Sequence, residues 1–148
     1  MDQTDIELIK ALQEDGRMTL SDLSKRLNLS RPSVSERMNK LKDQGVIEGF
    51  SARISYPKIG KHVTVFIQVS DLNVPYTTFE KYAQENPDII ECHRITGAIS
   101  YMLKAVLKDM QHLEALIDEL VPYGTLNTSV VVKSPVPHKH VTPVERDE

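Results

Sequence analysis

The side chains best suited to bind another molecule lie in residues 30–45. This stretch holds hydroxyl and basic groups at helical spacing, namely Arg31, Ser33, Ser35, Arg37 and Lys40. At about 100° per residue, Ser33, Arg37 and Lys40 share one side of a helix and are expected to point away from the core. Arginine can bond a guanine edge, serine a phosphate or base, and lysine a phosphate. These residues are predicted to contact the major groove of double-stranded DNA, although taken alone the pattern also fits a solvated surface helix.

The same stretch carries the features of a complete helix. Ser30 is a favourable N-cap, and Pro32 is tolerated in the first turn, where a backbone N–H has no helical partner. Gly45 follows the last turn, where a left-handed cap favours glycine. A narrow apolar stripe recurs at helical spacing and is predicted to be buried: Val34, Met38 and Leu41.

Two further helices are predicted before this one. Residues 2–15 have an apolar helical face and can be capped by Asp2. Thr19 and Asp22 have the spacing of a capping box, which opens a second helix that runs to about Asn28. That helix is expected to bury Leu20, Leu23 and Leu27. Three helices with a very short turn between the second and third predict a helix-turn-helix.

A small β wing is predicted to follow in residues 46–61. Gly49 permits a turn, and the flanking residues favour strands: Val46, Ile47, Phe50 and Ile54. From residue 62 the pattern becomes strand, helix, strand, strand, helix, strand, which is the ferredoxin-like order βαββαβ. The fold class is therefore α+β. The predicted domains are a winged helix-turn-helix (1–60), a ferredoxin-like domain (61–134) and an extended tail (135–148).

Composition and charge restrict the class of protein. No apolar run approaches the ~20 residues that span a bilayer, and the polar start does not resemble a secretory signal, so no membrane partner is expected. Cys92 is the single cysteine, which favours a reducing cytoplasm. Residues 1–60 carry ten basic and nine acidic side chains, whereas 61–148 carry eight and twelve. Within 24–44 six basic residues face two acidic ones, a local patch that predicts a specific anionic partner.

The combined pattern resembles the Lrp/AsnC family of transcriptional regulators. The resemblance is carried by DIELIKALQEDGR at 5–17, LSDLSKRLNLS at 20–30, SVSERMNKLKDQGVIEGFSARIS at 33–55, IG at 59–60 and RITGAISYMLKAV at 94–106. It implies a sequence-specific DNA-binding regulator that forms dimers through its C-terminal sheets, often assembled into rings of dimers. One sheet face is expected to carry exposed apolar side chains, from either the Val63 set or Phe66 and its neighbours, and such a face favours association.

The resemblance also implies an effector, usually a free amino acid, near the loop after the second C-terminal strand. The residues expected there are Thr96, Gly97, Ala98, Ser100 and Tyr101. Family members often have aspartate where this chain has Ser100, and the segment at 122–128 is shorter than usual. Amino-acid affinity is therefore expected to be altered or reduced. The alternative is that the segment is only a hairpin turn between two strands.

Particular residues bear on other functions. Cys92 and His93 are adjacent on a strand and point to opposite faces, and His138 and His140 fall in the tail, so no metal is predicted. No motif for a nucleophile or a phosphate-binding loop is present, and no cofactor is predicted. Some relatives of the family are sirohaem decarboxylases, an activity for which only His93, Arg94 and His112 are candidates. An architectural protein that wraps DNA with little sequence preference is a third alternative.

Overall fold

The chain is described by a computed structural model that covers residues 1–144. In this range the helices are Gln3–Glu14 (α1), Leu20–Leu27 (α2), Arg31–Asp43 (α3), Tyr76–Glu85 (α4) and Met110–Leu120 (α5). The strands are Val63–Ser70 (β1), Ile89–Arg94 (β2), Tyr101–Leu107 (β3) and Thr125–Val130 (β4). Single 3₁₀ turns lie at Pro57–Ile59 and Val121–Tyr123. The chain forms two compact units, Met1–Arg53 with the segment from Val136, and Ile54–Pro135.

The first unit contains the predicted helix-turn-helix, which the structure confirms. Asp2 forms a capping box at the start of α1, Thr19 accepts a hydrogen bond from the N–H of Asp22, and Ser30 caps α3. Asn28 ends α2 in the left-handed region at φ 52°, which makes the turn into α3 very short. The core consists of Leu8, Ala11, Leu23, Val34 and Leu41. Leu20, which was expected to be buried, is 37% exposed.

The small β wing predicted in residues 46–61 is not formed by strands, which corrects that part of the prediction. The structure assigns no strand to residues 46–61. The N–H groups of Val46 and Ile47 both donate to the carbonyl of Leu41, at 2.9 and 3.1 Å, so they cap α3 and cannot start a ladder. Farther on, residues 56–61 close a turn in which the N–H of Lys61 donates to the carbonyl of Tyr56. Residues with high β propensity form no strand here, because the N–H groups of Val46 and Ile47 bond to the nearby end of α3 instead of to a partner strand.

The second unit has the predicted βαββαβ order. Its sheet is antiparallel with strand order β2-β3-β1-β4, and α4 and α5 cover one face. Val65, Ile67 and Val69 face these helices and are fully buried. This orientation decides which side chains of β1 remain for the other face. The open face, as we call the face without helices, carries Thr64, Phe66, Gln68, Met102 and Lys104.

The unit boundaries lie near the predicted ones but not at the same residues. The chain passes from the first unit to the second after Arg53, and it rejoins the first unit at Val136. Residues 136–144 have neither helix nor strand, as expected for an extended tail, but they pack on α1. Residues 145–148 of the predicted tail lie outside the described residues. Among helices in the described range, none is long and apolar enough to cross a bilayer.

Candidate functional site

All the residues predicted to bind DNA lie on α3, but they are not equally accessible. Arg31 and Lys40 are exposed, whereas Ser33, Ser35 and Arg37 are half-buried. Arg31 lies toward α2, because its Nη2 donates to Oγ of Ser21 at 3.1 Å. The hydroxyl of Ser33 is 2.8 Å from that of Ser30, within the cap of the helix. The exposed surface of α3 thus begins with a hydroxyl-rich first turn and ends with lysine.

Arg37 is not free, which corrects the expectation that it points away from the protein. Its Nη1 donates to Oδ2 of Asp2 at 2.8 Å and to Oδ1 of Asp5 at 2.7 Å. We call these three residues the Arg37 clamp. Asp5 is only 8% exposed, so the clamp supplies a charge partner to a buried carboxylate. The clamp therefore fixes α3 to the beginning of α1.

The electrostatics of the clamp follow from these bonds. The hydrogen bond from Arg37, followed by that from the N–H of Asp5, lowers the pKa of Asp2. The same contacts with Asp2 and Asp5 raise the pKa of Arg37. Both groups are charged at neutral pH. The guanidinium is consequently committed to two carboxylates and has little freedom to approach a base edge.

Sequence reasoning missed this role of Asp2 and Asp5. Acidic residues are common at the N-cap and in the first turn of a helix, where they cap it and interact favourably with its macrodipole. The sequence therefore offered no reason to expect a second role for them. Arg37 lies about 60° from the centre of the apolar stripe, and a long side chain at that angle can turn toward a neighbouring helix. The useful signal was the spacing of two acids three residues apart, which places both on one face of α1.

The remaining basic side chains give the unit its positive surface. Lys25, Arg31, Lys40 and Lys42 are exposed and, within residues 1–144, none of the four is in an ion pair. Arg26 is paired with Glu14 at 2.6 Å. A cleft of about 540 Å³ between α1 and α3 is lined by Met1, Asp2, Asp5, Leu29, Ser33, Glu36, Arg37 and Lys40, and its charged side chains are three acids and two bases. The basic surface suited to a polyanion is therefore formed by Lys25, Arg31, Lys40 and Lys42 and not by the cleft as a whole.

The predicted effector residues lie at a hairpin between β2 and β3. Thr96, Gly97 and Ala98 are exposed at its tip, and Gly97 has φ 107°, a conformation that favours glycine. Ser100 is fixed by its backbone: its N–H donates to the carbonyl of Val69 at 2.8 Å, and its carbonyl accepts from Ile95 at 3.1 Å. The backbone of this segment is therefore a hairpin turn between two strands, as the alternative interpretation predicts. Its exposed tip is accessible to a ligand.

Tyr101 belongs to the core and not to the exposed tip. Its ring is 1% exposed and packs on Phe79 with centroids 4.7 Å apart. Its hydroxyl donates to Oε1 of Glu80 at 2.6 Å and accepts from Nε of Arg94 at 3.1 Å. Arg94 also pairs with Glu80 and stacks over the ring of Tyr76 at 4.4 Å. Tyr101 can anchor the hairpin, but the geometry gives it no direct contact with a ligand at the tip.

The candidates for catalysis are not brought together. His93 contacts Glu91 at 3.4 Å on the open face, whereas Arg94 lies on the face of α4. His112 is bound to Asp109 at 2.7 Å in the first turn of α5. Burial, with a further contribution from Glu80, raises the pKa of the Cys92 thiol. Residues 1–144 contain no group of three or more histidine, cysteine or acidic side chains placed to hold a metal.

A helix-turn-helix with a basic exposed helix, joined in one chain to an α+β unit, defines a class of DNA-binding proteins with a second, regulatory domain. Comparison with known proteins agrees. The family described as Lrp/AsnC ligand binding domain matches residues 64–141, and the winged helix-turn-helix DNA-binding family matches residues 1–48. The chain belongs to the Lrp/AsnC family of transcriptional regulators.

Individual relatives cover most of the chain. The HTH-type regulator YezC of Bacillus subtilis is 42% identical over 90% of this chain and 95% of its own length. The solved structure of B. subtilis LrpC is 31% identical with a TM-score of 0.88, covering 93% of this chain and 99% of that one. The regulator NMB0573 of Neisseria meningitidis, solved as a complex with L-Met, is 28% identical with a TM-score of 0.86, covering 98% and 96%. The function is accordingly that of a DNA-binding transcriptional regulator with a ligand-binding domain.

The Arg37 clamp makes a prediction about stability and pH. Asp2→Asn keeps the N-cap but removes the ion pair, so we expect it to lower the free energy of unfolding by about 0.2–1 kcal/mol at neutral pH. The pKa of Asp2 in the folded protein lies below its ordinary 3.8, so the pair stabilises above pH 3.8 and is lost as the pH falls through the folded-state value. Thermal unfolding at several pH values measures the difference in the free energy of unfolding between the unmodified chain and Asp2→Asn. This difference is expected to become smaller in acid.

The matched control is Asp43→Asn, at an exposed acid of α3 without an ion pair among the described residues. It is expected to lose no stability. An equal deficit for Asp2→Asn at neutral pH and at about pH 3 would contradict a role for the charge of Asp2.

Proposed function

We propose that this regulator binds DNA as a dimer or a larger ring of dimers, and that a free amino acid at the 96–100 hairpin adjusts that binding. The observation that carries the DNA proposal is the set of exposed basic side chains on and beside α3 that form no ion pair within residues 1–144. Arg31, Ser33, Ser35 and Lys40 are the proposed contacts with the major groove and its phosphates. Arg37 contributes indirectly, by fixing α3 to α1 through the clamp.

Two copies are needed because one helix-turn-helix offers a small interface. A dimer places two α3 helices in successive major grooves, so the proposed half-sites are about one DNA turn, or a multiple, apart. The hydroxyls of Ser33 and Ser35 suit phosphate or base contacts, and Lys40 adds charge at the phosphates. Binding of a specific promoter more tightly than random DNA separates this proposal from an architectural role.

Lys40 gives the first test of the interface. We expect Lys40→Ala to weaken binding to all sequences about equally and to reduce the slope of log affinity against log salt by ~0.9, because one fewer counterion is released. Titration of labelled DNA at several salt concentrations measures both quantities. Lys81→Ala is the control, since Lys81 is 74% exposed but lies on α4 of the second unit. An unchanged slope in Lys40→Ala, or an equal change in Lys81→Ala, would show that α3 is not the interface.

The open face supports the proposal of a dimer. Phe66 lies in β1, an inner strand of the sheet, and is 39% exposed. Lys104 stands 5.9 Å from the centre of its ring and pairs with Glu91 at 3.2 Å, and Met102 lies beside them on β3. A large aromatic side chain in the middle of a sheet face favours burial against another surface. A second copy of the same face is the simplest partner in a symmetric dimer.

Phe66→Asp is expected to shift the assembly toward monomer, because a carboxylate would be buried without a partner at a dimer interface. Analytical ultracentrifugation at micromolar concentration measures the effect. Val132→Asp is the control, because Val132 is an exposed valine (98%) beyond the end of β4. Sedimentation of the unmodified chain as a monomer would refute the dimer, and an unaltered oligomer in Phe66→Asp would exclude the open face as its interface.

An amino-acid effector is supported by the ligand of a relative and by the local geometry. NMB0573 was solved with L-Met, and the hairpin of this chain exposes backbone at Thr96, Gly97 and Ala98 that can approach a carboxylate. Ser100 lies one residue before Tyr101, at the base of this exposed tip, and is half-buried. A neutral hydroxyl there binds an ammonium less strongly than a carboxylate would.

We expect Ser100→Asp to tighten L-methionine binding by roughly tenfold, the difference between a charged and a neutral hydrogen-bond partner. Isothermal calorimetry on the full chain measures the affinity, and Ser134→Asp, at an exposed serine of the same unit, is the control. Tight binding by the unmodified chain that aspartate does not improve would refute the argument from Ser100. An absence of binding by both proteins would refute L-methionine as the effector.

The same proposal assigns no catalytic activity to the chain. His93, Arg94 and His112 are engaged in separate contacts, and the relatives YezC and LrpC are both named as HTH-type transcriptional regulators, which supports this assignment. A regulator must reach DNA, and we therefore place the chain in the cytoplasm.

A further inference from the structure

The C-terminal segment of the first unit is held by one side chain of α1. Nε2 of Gln13 donates to the carbonyl of Val141 at 2.8 Å, and Oε1 of Gln13 accepts from the N–H of Val141 at 2.9 Å. A carboxamide that pairs both backbone groups of one residue imitates a residue pair of a β-ladder. The contact therefore fixes the position and direction of the segment on α1.

The segment also lies against the chain that leaves α3. Together they surround a groove of about 800 Å³ whose lining is mainly apolar. Ile9 and Leu12 contribute to it from α1, Val46 and Phe50 from the chain after α3, and Val141, Pro143 and Val144 from the C-terminal segment. Val46 and Phe50 are 41% and 49% exposed, so apolar surface on the helix-turn-helix faces apolar surface on the segment.

Charge supports the same docking. The last turn of α1 contains Glu14 and no basic residue. The segment carries His138, Lys139 and His140, and His140 lies close enough to Glu14 to contribute, after Arg26, to the lowering of its pKa. Positive charge at the C-terminal end of a helix is favourable because it opposes the helix macrodipole. Among these three side chains, His140 is the one near the end of α1, where its protonated form favours docking of the segment.

We propose that residues 136–144 are a strap, locked by Gln13, that holds α1 and the chain after α3 and thereby sets the position of α3 for DNA. α1 is bound by the strap near its C-terminal end and by the Arg37 clamp at its beginning. Because Val136 follows directly on Pro135 of the second unit, the docked strap is also a second covalent connection between the units, besides the one at Arg53.

Hydrogen–deuterium exchange on the full chain tests the docking without reference to DNA. Gln13→Ala is expected to speed exchange in residues 136–144 and in 46–50 by at least about threefold, because the bonded state is lost. Gln3→Ala is the matched control: it changes the same residue type on the same helix, and among the described residues the side chain of Gln3 bonds only to Glu7, one turn away. Exchange in Gln13→Ala equal to that of the unmodified chain would overturn the strap.

DNA affinity tests the consequence, which rests on the DNA-binding proposed above. Gln13→Ala and Val141→Pro, which removes the bonded N–H, are each expected to weaken binding roughly three- to tenfold, with Gln3→Ala unchanged. Combined, the two substitutions are expected to weaken binding no more than either alone, because they remove one interaction. Faster exchange in Gln13→Ala with undiminished DNA affinity would overturn the strap's role in DNA binding. A double variant whose loss of affinity equals the sum of the two single losses would overturn it as well. Failure of the unmodified chain to bind DNA would instead refute the proposed function, while the exchange result still decides the docking.

Discussion

The first unit depends on the pairing of Arg37 with Asp2 and Asp5. Asp5 is nearly buried, and a carboxylate in such a place is costly unless a cation and hydrogen bonds satisfy it. Arg37 provides both, and the N–H of Asp2 donates a further bond to Asp5 at 3.0 Å. A helix of thirteen residues with little apolar surface, such as α3, is thus fixed by electrostatics as well as by Val34 and Leu41.

The fold could be predicted because its signals were local and agreed with one another. The N-caps at Asp2, Thr19 and Ser30 each precede an apolar helical pattern, and all three form as expected. Alternation in β1 could show that two faces exist but not which one the helices cover. That choice depends on packing between distant elements, and it is settled by contacts of Ile67 and its neighbours with α4 and α5.

The candidate site was less predictable because its long polar side chains bond to residues that are distant in the sequence. The helical angle predicted that Arg37 points away from the core, because the angle could not reveal that the first turn of α1 lies within reach. Likewise, the sequence placed Tyr101 next to the hairpin but not inside the core, where its hydroxyl joins Glu80 and Arg94. Gln13 and Val141 are 128 residues apart, and the residues around each of them contain no pattern that predicts their contact.

These internal pairs explain how a unit with nearly balanced charge presents a basic surface. Asp2 and Asp5 pair with Arg37, Glu7 pairs with Lys10, and Glu14 pairs with Arg26. The negative charge of these four side chains is therefore offset in part by neighbouring cations. Lys25, Arg31, Lys40 and Lys42 keep their charge at the surface, on or beside one helix. A local field of this kind attracts phosphate over a short range, about one Debye length, without making the whole chain basic. The clamp offsets only one of the two negative charges of Asp2 and Asp5, so the proposed contact of α3 with DNA depends on Lys25, Arg31, Lys40 and Lys42 and not on Arg37.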